Sequence, residues 1–548
     1  MSLRPRIAAI AFLVPLLLAP CGALSVATHA AQPGYPAGQG TGVEKSIRRM
    51  SEVDAAGGAA VARYADRRLA SMGILDVTKA PYSADPTGEE DATAAIQQAL
   101  RDARDARLVT YLPAGRYRVS DTIQAVVGVV QWDTFGYEGP SDPWEYEASF
   151  EYPCVLMGSR GKGRTALVLA DRASGFDDPE NPKPVLFFWA RSMQVPGLKQ
   201  VDPDVPQSNI NFNQKILSLD IELGRGNPGA IGIDHRGAEG SSVEDVAVYA
   251  EGAAAGFRHA PGSGGAMHGI RVYGGRIGLD LDGTQPSPLI SDLVLKGQTE
   301  AAILASSRGP LTLVGAEIEG AGIVVRRSPV SWDAALNMVD CVLSITKGET
   351  AIESERSAVL SNVWIRGAQT ALKVADHPPN AGSADGWTLV RRYAAGSEVK
   401  LPNRLGGGVW RDPVWVDGRK LQNPLADVEQ SRTGPPDEVL ARHRRPALPG
   451  FDTEGVVNVK DAPFGAKGDG ETDDAAAIQQ AIDAHPLVFV PKGKYLVSRP
   501  IKLGPQTQLF GISNLHSMLL PKYTLPVFYS ALEAQATDAR PPFHDPDD

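Results

Sequence analysis

Between residues 216 and 376 one short pattern of apolar and polar positions keeps returning. A small residue is followed by an apolar one and then by two positions of alternating character: Gly232-Ile233-Asp234-His235, Gly256-Phe257-Arg258-His259, Gly278-Leu279-Asp280-Leu281, Ala302-Ile303-Leu304-Ala305, Gly322-Ile323-Val324-Val325, Ala351-Ile352-Glu353-Ser354 and Ala371-Leu372-Lys373-Val374. The small residues are spaced by 24, 22, 24, 20, 29 and 20 positions. A second column lies between them, at Leu219-Asp220-Ile221, Glu244-Asp245-Val246, Ser291-Asp292-Leu293, Val339-Asp340-Cys341 and Ser361-Asn362-Val363, each with its own alternating run. Short strands with Gly, Asp and Asn corners at a period of this size predict a solenoid. Period-two alternation puts Ile233, Phe257, Leu279, Ile303, Ile323, Ile352 and Leu372 on one face, and stacking joins them into a continuous core. The Leu-x-x-Leu-x-Leu and Asn pattern of a leucine-rich repeat is absent. The predicted fold is an all-β solenoid, a single-stranded right-handed parallel β-helix.

A different unit occurs twice. Residues 76–100, with Pro81, Gly88, Asp91, Ile96, Gln97 and Gln98, return at a constant offset of 382 as residues 458–482, with Pro463, Gly470, Asp473, Ile478, Gln479 and Gln480. After a four-residue gap, Leu112-Pro113-x-Gly115-x-Tyr117-x-Val119-Ser120 matches Val490-Pro491-x-Gly493-x-Tyr495-x-Val497-Ser498. Gly468-Asp469-Gly470 supplies a turn, and Thr472 or Asp473 is placed to cap a helix carrying Ile478 and Ile482. Such a helix would cover the open first coil of a β-helix, whose strand edges are otherwise unpaired. A nucleotide-binding loop is excluded, because no Gly-Lys-Ser/Thr follows the glycines.

The segment Phe464-Gly-Ala-Lys-Gly-Asp-Gly-Glu-Thr-Asp-Asp474, with Ile478-Gln479 and Val490-Pro491-x-Gly493-x-Tyr495, resembles the opening of the pectate-lyase-superfamily β-helices. Two such openings in one chain resemble glycoside hydrolase family 55, exo-β-1,3-glucanases built from two side-by-side β-helices. A further likeness lies at His235-Arg236-Gly-Ala238-Glu239-Gly-Ser241-Ser242-Val243-Glu244-Asp245-Val246, against a Trp-x-x-Ala-Gln-x-Thr/Ser-Ser-Leu-x-Asn-Val segment of that family. The resemblance implies inverting hydrolysis of β-1,3-glucan without a cofactor or metal, a Glu on the second helix as general acid, and a Gln on the first that holds the attacking water. Glu239 stands at that Gln position and is the candidate catalytic residue. The coils that would carry the acid are not recognisable in this chain.

The expected organisation is a signal peptide (1–30), a leader and N-terminal helix (31–72), a first β-helix (73–376), a crossover (377–455), and the cap and first coils of a second, incomplete β-helix (456–548). The basic start with Arg4 and Arg6, followed by the apolar run Ile7–Leu18, reads as an export signal too short for a membrane span. The expected location is therefore secreted or periplasmic. Cys21 sits in a lipoprotein-like box, with Pro20 in place of the usual small residue, so lipidation is disfavoured. Residues 43–72 read as helical except at Gly57-Gly58. The crossover, with Trp387, Trp410 and Trp415, reads as structured. A net charge of −10 argues against nucleic acid or polyanionic sugars as partners, because a basic groove would be expected for either. The expected partner is a polysaccharide or oligosaccharide, bound by a monomer. Cys341 falls in a predicted strand and reads as a buried thiol.

Candidate chemistry beyond Glu239 is sparse. Asp234, Arg258 and Asp280 align in one outward column, ordinarily a surface ion-pair row; as a sugar subsite it would present Asp234. His235 and His259 point inward by phase and read as satisfied core imidazoles. Gln285 aligns near the same turn surface and is a further substrate-contact candidate. The insertion Gln131–Glu147 has no coil period but is rich in aromatics and carboxylates. Its Trp132, Trp144 and Tyr146 suit the apolar faces of sugar rings. The Asn-Thr-Asp and Gly-His-Gly segments of polygalacturonases are absent. A non-catalytic carbohydrate-binding β-helix and a polysaccharide lyase are the alternatives.

Overall fold

The computed structural model describes residues 50–130, 152–161, 163–193, 206–207, 210–281, 288–307, 309–327, 333–400, 407–445, 448–522 and 532–534. The leader before residue 50, the insertion residues Trp132, Trp144 and Tyr146, and Gln285 lie outside them. The chain is a parallel β-helix, built on a 14-stranded and an 11-stranded sheet. In the smaller sheet Ile233 pairs with Phe257, Phe257 with Leu279, Leu279 with Ile303, and the column runs on through Ile323 and Ile352 to Leu372. These side chains are fully or almost fully buried and belong to one core that extends from Tyr64 to Ala395. Cys154 and Cys341 are free and buried, and burial pushes the Cys341 thiol up to about 12.

The corners of the larger sheet have a simple backbone cause. Ser218, Asp245, Asp292, Asp340 and Asn362 all hold φ between 51° and 55°, with Gly269 and Gly315 at 67° and 65° in the same column. Short polar residues and glycine tolerate this left-handed region, which bulky residues avoid. The sequence pattern puts Asp220 at this corner. The register corrects it: Leu219 pairs with Val246 and Asp220 with Ala247, so Ser218 takes the corner and Asp220 faces Arg164.

Both openings fold alike. The helices Thr93–Asp105 and Ala475–Ala484 each cover a coil end, and each opening holds a cis peptide, at Ala80–Pro81 and Ala462–Pro463. Gln97 donates to the Gln124 carbonyl at 2.9 Å and accepts from its N–H at 2.7 Å; Gln479 does the same with Lys502 at 3.1 and 2.8 Å. A side-chain amide thus satisfies a strand edge that has no neighbouring strand. The helix cap differs from expectation. Asp474 is the first flanking residue, and its carboxylate reaches back to the N–H groups of Lys467 and Gly468. Asp473 accepts from Ala475, while Thr472 donates to Asp469.

Gly57-Gly58 does not interrupt the N-terminal helix, which runs unbroken from Met50 to Arg63. A Cβ at Gly57 would lie 2.3 Å from the Asp105 carbonyl oxygen, so the glycine allows this helix to lie against Thr93–Asp105. The helix pair, rather than propensity, decides the matter.

The sheet continues past residue 376. Trp387–Ala395 adds to Ala358–Arg366 in antiparallel fashion, and Leu425–Ser431 adds to it in turn. Asp427 and Glu429 on this last strand discourage further edge pairing. The chain then runs back along the stack. Val439 packs with Val342, Trp364 and Leu389; His443 lies over Gly315 with its Nε2 2.7 Å from Asp340 Oδ2; Phe451 meets Tyr111 edge-on at 5.0 Å. This return delivers the second opening beside the first. There the described residues form sheets of two or three strands around a core that includes Val459, Ile478, Val488, Tyr495 and Ile501.

Candidate functional site

The two openings meet in an apolar seam. Met72, Ile74, Val109, Tyr111, Val155, Met157 and Leu217 from the first stack pack against Phe489 and Ile512 from the second. Backbone joins them as well, since Lys492 N–H donates to the Met72 carbonyl at 3.0 Å. The Lys492 ammonium donates to the Ala106 carbonyl at 3.3 Å, and its burial lowers its pKa to about 8. His516 is buried beside it with Nδ1 2.7 Å from Ser513 Oγ; burial first, and Lys492 second, pull this imidazole down to about 3.

Glu239 stands at the edge of this seam. The strand Ala230–His235 leaves the smaller sheet, turns through residues 236–241, and enters the larger sheet as Ser242–Tyr249. The turn is fixed from below. Ala238 N–H donates to the Asn211 carbonyl and Asn213 N–H to the Glu239 carbonyl, both at 2.9 Å. Asn211 Nδ2 donates to the Arg236 carbonyl at 2.6 Å, and Ser241 Oγ accepts from Gln214 N–H at 3.1 Å. Ala238 is therefore buried while Glu239 is exposed. At Gly240, with φ of +70°, an added Cβ would lie 2.2 Å from Asn213 Oδ1. That same oxygen accepts from Asn514 Nδ2 at 2.6 Å, a contact across 301 residues of chain.

Around this meeting point stand Lys215, whose ammonium donates to the Gly240 carbonyl at 2.9 Å and Ser242 Oγ at 3.1 Å, and Glu244, which accepts from Ser242 at 2.9 Å. Burial lowers the Lys215 pKa. The Glu239 carboxylate makes no hydrogen bond or ion pair among the described residues. Chemically, the turn offers a free carboxylate flanked by amides and a hydroxyl, groups that accept from and donate to sugar hydroxyls. Asn213, Lys215 and Asn514 were not singled out by sequence. Asparagine in a turn carries no distinguishing signal, and only the returning chain brings position 514 to position 213.

The Asp234 column has the expected rungs, Asp234 against Arg258 and Arg258 against Asp280. Asp234 itself is fully buried: its Oδ1 is 2.8 Å from His259 Nδ1 and 3.3 Å from Arg236 Nε. It is the centre of a buried ion network rather than an exposed rung. Burial and Arg236 together lower the His259 pKa against the pull of Asp234. His259 is satisfied, as its phase predicts. His235 is not: it stacks on Phe188 at 5.2 Å, neither ring nitrogen has a hydrogen-bond partner among the described residues, and burial pulls it down to about 4. Among the described residues no group of three or more His, Cys, Asp or Glu is placed to hold a metal ion, and no helix is long and apolar enough to cross a membrane.

Comparison with known proteins places a likeness at both openings. Residues 77–131 and 456–521 match the family described as rhamnogalacturonase A/epimerase, pectate lyase-like. A non-secreted LysM effector, LysM19, of Penicillium expansum is 24% identical over 473 residues, 78% of this chain and 32% of its own length. The chain thus spans about a third of that relative. The preneck appendage protein of Bacillus phage PZA is 45% identical over 63 residues, 12% of this chain and 7% of its own. Among solved structures, ORF18 of Geobacillus virus E2 aligns over 66% of this chain and 77% of that one, at 10% identity and a TM-score of 0.28.

Proposed function

We propose that this chain is an exported, carbohydrate-directed β-helix protein that binds a polysaccharide along the seam between its two openings, with Glu239 as the contact residue. The observation that carries this reading is the free, exposed Glu239 carboxylate at the point where Asn514 of the second opening meets Asn213 of the first. The pectate-lyase-like match at both openings supports a carbohydrate ligand. In this reading the protein acts as a monomer, divided as the sequence divides it, and residues 1–30 are removed on export. The insertion residues Trp132, Trp144 and Tyr146, and Gln285, are further sugar contacts in this reading; Asp234, fully buried in its ion network, is not one of them.

Inverting hydrolysis of β-1,3-glucan is the second reading; in it Glu239, which stands where family 55 has its water-holding Gln, activates the water itself. Such a reaction needs an acid and a water-activating group about 6.5–9.5 Å apart. One carboxylate without its partner loses a factor of about 10²–10⁴.

Calorimetric titration of residues 31–548 with laminarin-type oligosaccharides tests both. Glu239→Ala and Asn514→Ala should each weaken binding about five- to fifty-fold, the loss of one or two hydrogen bonds, one of them charged. Sugar should quench tryptophan fluorescence, with the quench reduced in Trp132→Ala and Trp144→Ala. Any slow release of α-configured glucose should fall in Glu239→Gln. Undiminished binding in both seam variants would remove the seam from the account.

A further inference from the structure

At the far end of the first stack the return path carries a small arm that the seam does not use. Glu398–Lys400 pairs with Val409–Arg411, and Val414–Val416 pairs with Arg419–Leu421, both antiparallel. The arm is tied to the last coils. Ser357 Oγ donates to Asp412 Oδ2, and the Arg411 guanidinium holds Asp376 at 2.7 Å and Glu398 at 2.9 Å. The second hairpin turns through Asp417 and Gly418, at φ of 50° and 75°, the two left-handed residues that a tight two-residue turn requires.

That register sets Trp415 directly opposite Lys420. Directly opposite residues project from the same face of a hairpin, with their Cβ atoms about 4.5–5.5 Å apart. Trp415 is 61% exposed, an unusual position for an indole unless something covers it. Lys420 is exposed and forms no ion pair among the described residues, although acidic residues outnumber basic ones in the chain. An indole face receives the C–H face of a pyranose. An ammonium beside it receives an anion. A neutral sugar would use only the first group, and a phosphate only the second. A ring carrying a carboxylate on C5 uses both.

We infer that the hairpin Val414–Leu421 is a subsite for one hexuronate residue of an acidic polysaccharide, with Trp415 stacking on the ring and Lys420 pairing its carboxylate. The site is separate from the seam and stands whether or not the seam binds glycan. Titration of the full chain with hexameric oligogalacturonate, its methyl ester and a neutral β-1,3-glucan hexamer tests it.

The acid should bind at least ten-fold tighter than its ester at low salt, and the difference should shrink at 0.5 M salt, where the screening length is about 4 Å. Trp415→Ala should weaken acid and ester alike by ten-fold or more. Lys420→Gln should bring the acid down to the level of the ester. Lys420→Gln should leave the affinity for the neutral β-1,3-glucan hexamer unchanged, which keeps this site distinct from any binding in the seam. Because both side chains are exposed, the variants should unfold at the wild-type temperature. Equal affinity for acid and ester, no binding of the acid, or binding untouched by either variant would overturn the assignment. A change in oligomeric state in Trp415→Ala would also overturn it, in favour of an interface between copies.

Discussion

The two openings share a motif and its local contacts, but the described residues pack differently around them. In the first, the Gln97 amide is half-buried, a second helix lies across the cap through Gly57, and a single core runs on to Ala395. In the second, the same amide geometry at Gln479 is solvent-exposed, and among the described residues the core gathers residues from Val457 to Leu519. The motif therefore encodes how a β-helix begins. In the first stack the core beyond the opening follows the recurring inward apolar column.

The largest test of that division is a charge in each core. Leu279→Asp should abolish soluble expression, since it leaves an unpaired buried carboxylate and removes packing worth about 3–5 kcal/mol. Val488→Asp in the smaller core should unfold only the second opening, with most of the β signal in circular dichroism retained. Loss of all β signal in Val488→Asp would mean that the stack depends on the second opening. Next in size is the helix crossing: Gly57→Leu should cost about 1–3 kcal/mol by urea denaturation. Gly58→Ala, with nothing within 4 Å of its added carbon, should be neutral or gain up to about 1 kcal/mol.

The amide hold gives a smaller, paired effect. Gln97→Ala leaves a half-buried strand edge unsatisfied and should cost about 1–3 kcal/mol, while Gln479→Ala, where water replaces the amide, should cost about 0.5–1 kcal/mol. Equal losses would put burial out of the explanation. The pH dependence of the seam is a separate test. His516 is held to about 3, so between roughly pH 6.5 and 3 the unfolded chain binds the extra proton. Stability is then lost as pH falls through that window. His235, held to about 4, adds the same sign in the first stack. His516→Asn should unfold with a shallower loss of Tm from pH 6.5 to 4 than the wild type, read by differential scanning fluorimetry.

Much of the fold was legible because it is periodic. The inward column from Ile233 to Leu372 needs only alternation and spacing, and the offset between the openings carries the cap helix twice. Errors fell where tertiary contact overrides local rules. Gly57-Gly58 reads as a break until the neighbouring helix is in place, and Asp220 sits two residues from a corner that Ser218 fills. The tryptophans make the crossover read as structured, but the sequence does not tell which are covered; Trp410 and Trp415 are 53% and 61% exposed. Of the candidate site, Glu239 was singled out through family likeness, and the structure places it on an exposed turn. Asn514 was not, because its place depends on a chain that returns along the whole stack before it reaches Asn213.

Hydrogen exchange with and without a saturating glycan tests the seam most directly, because it reads position as well as binding. Laminarin-type oligosaccharide should slow exchange in residues 211–214, 236–241 and 512–516 together, with the three segments responding at one half-saturation concentration. Protection confined to other coils, or unchanged exchange in all three segments at saturation, would contradict a polysaccharide site between the two openings.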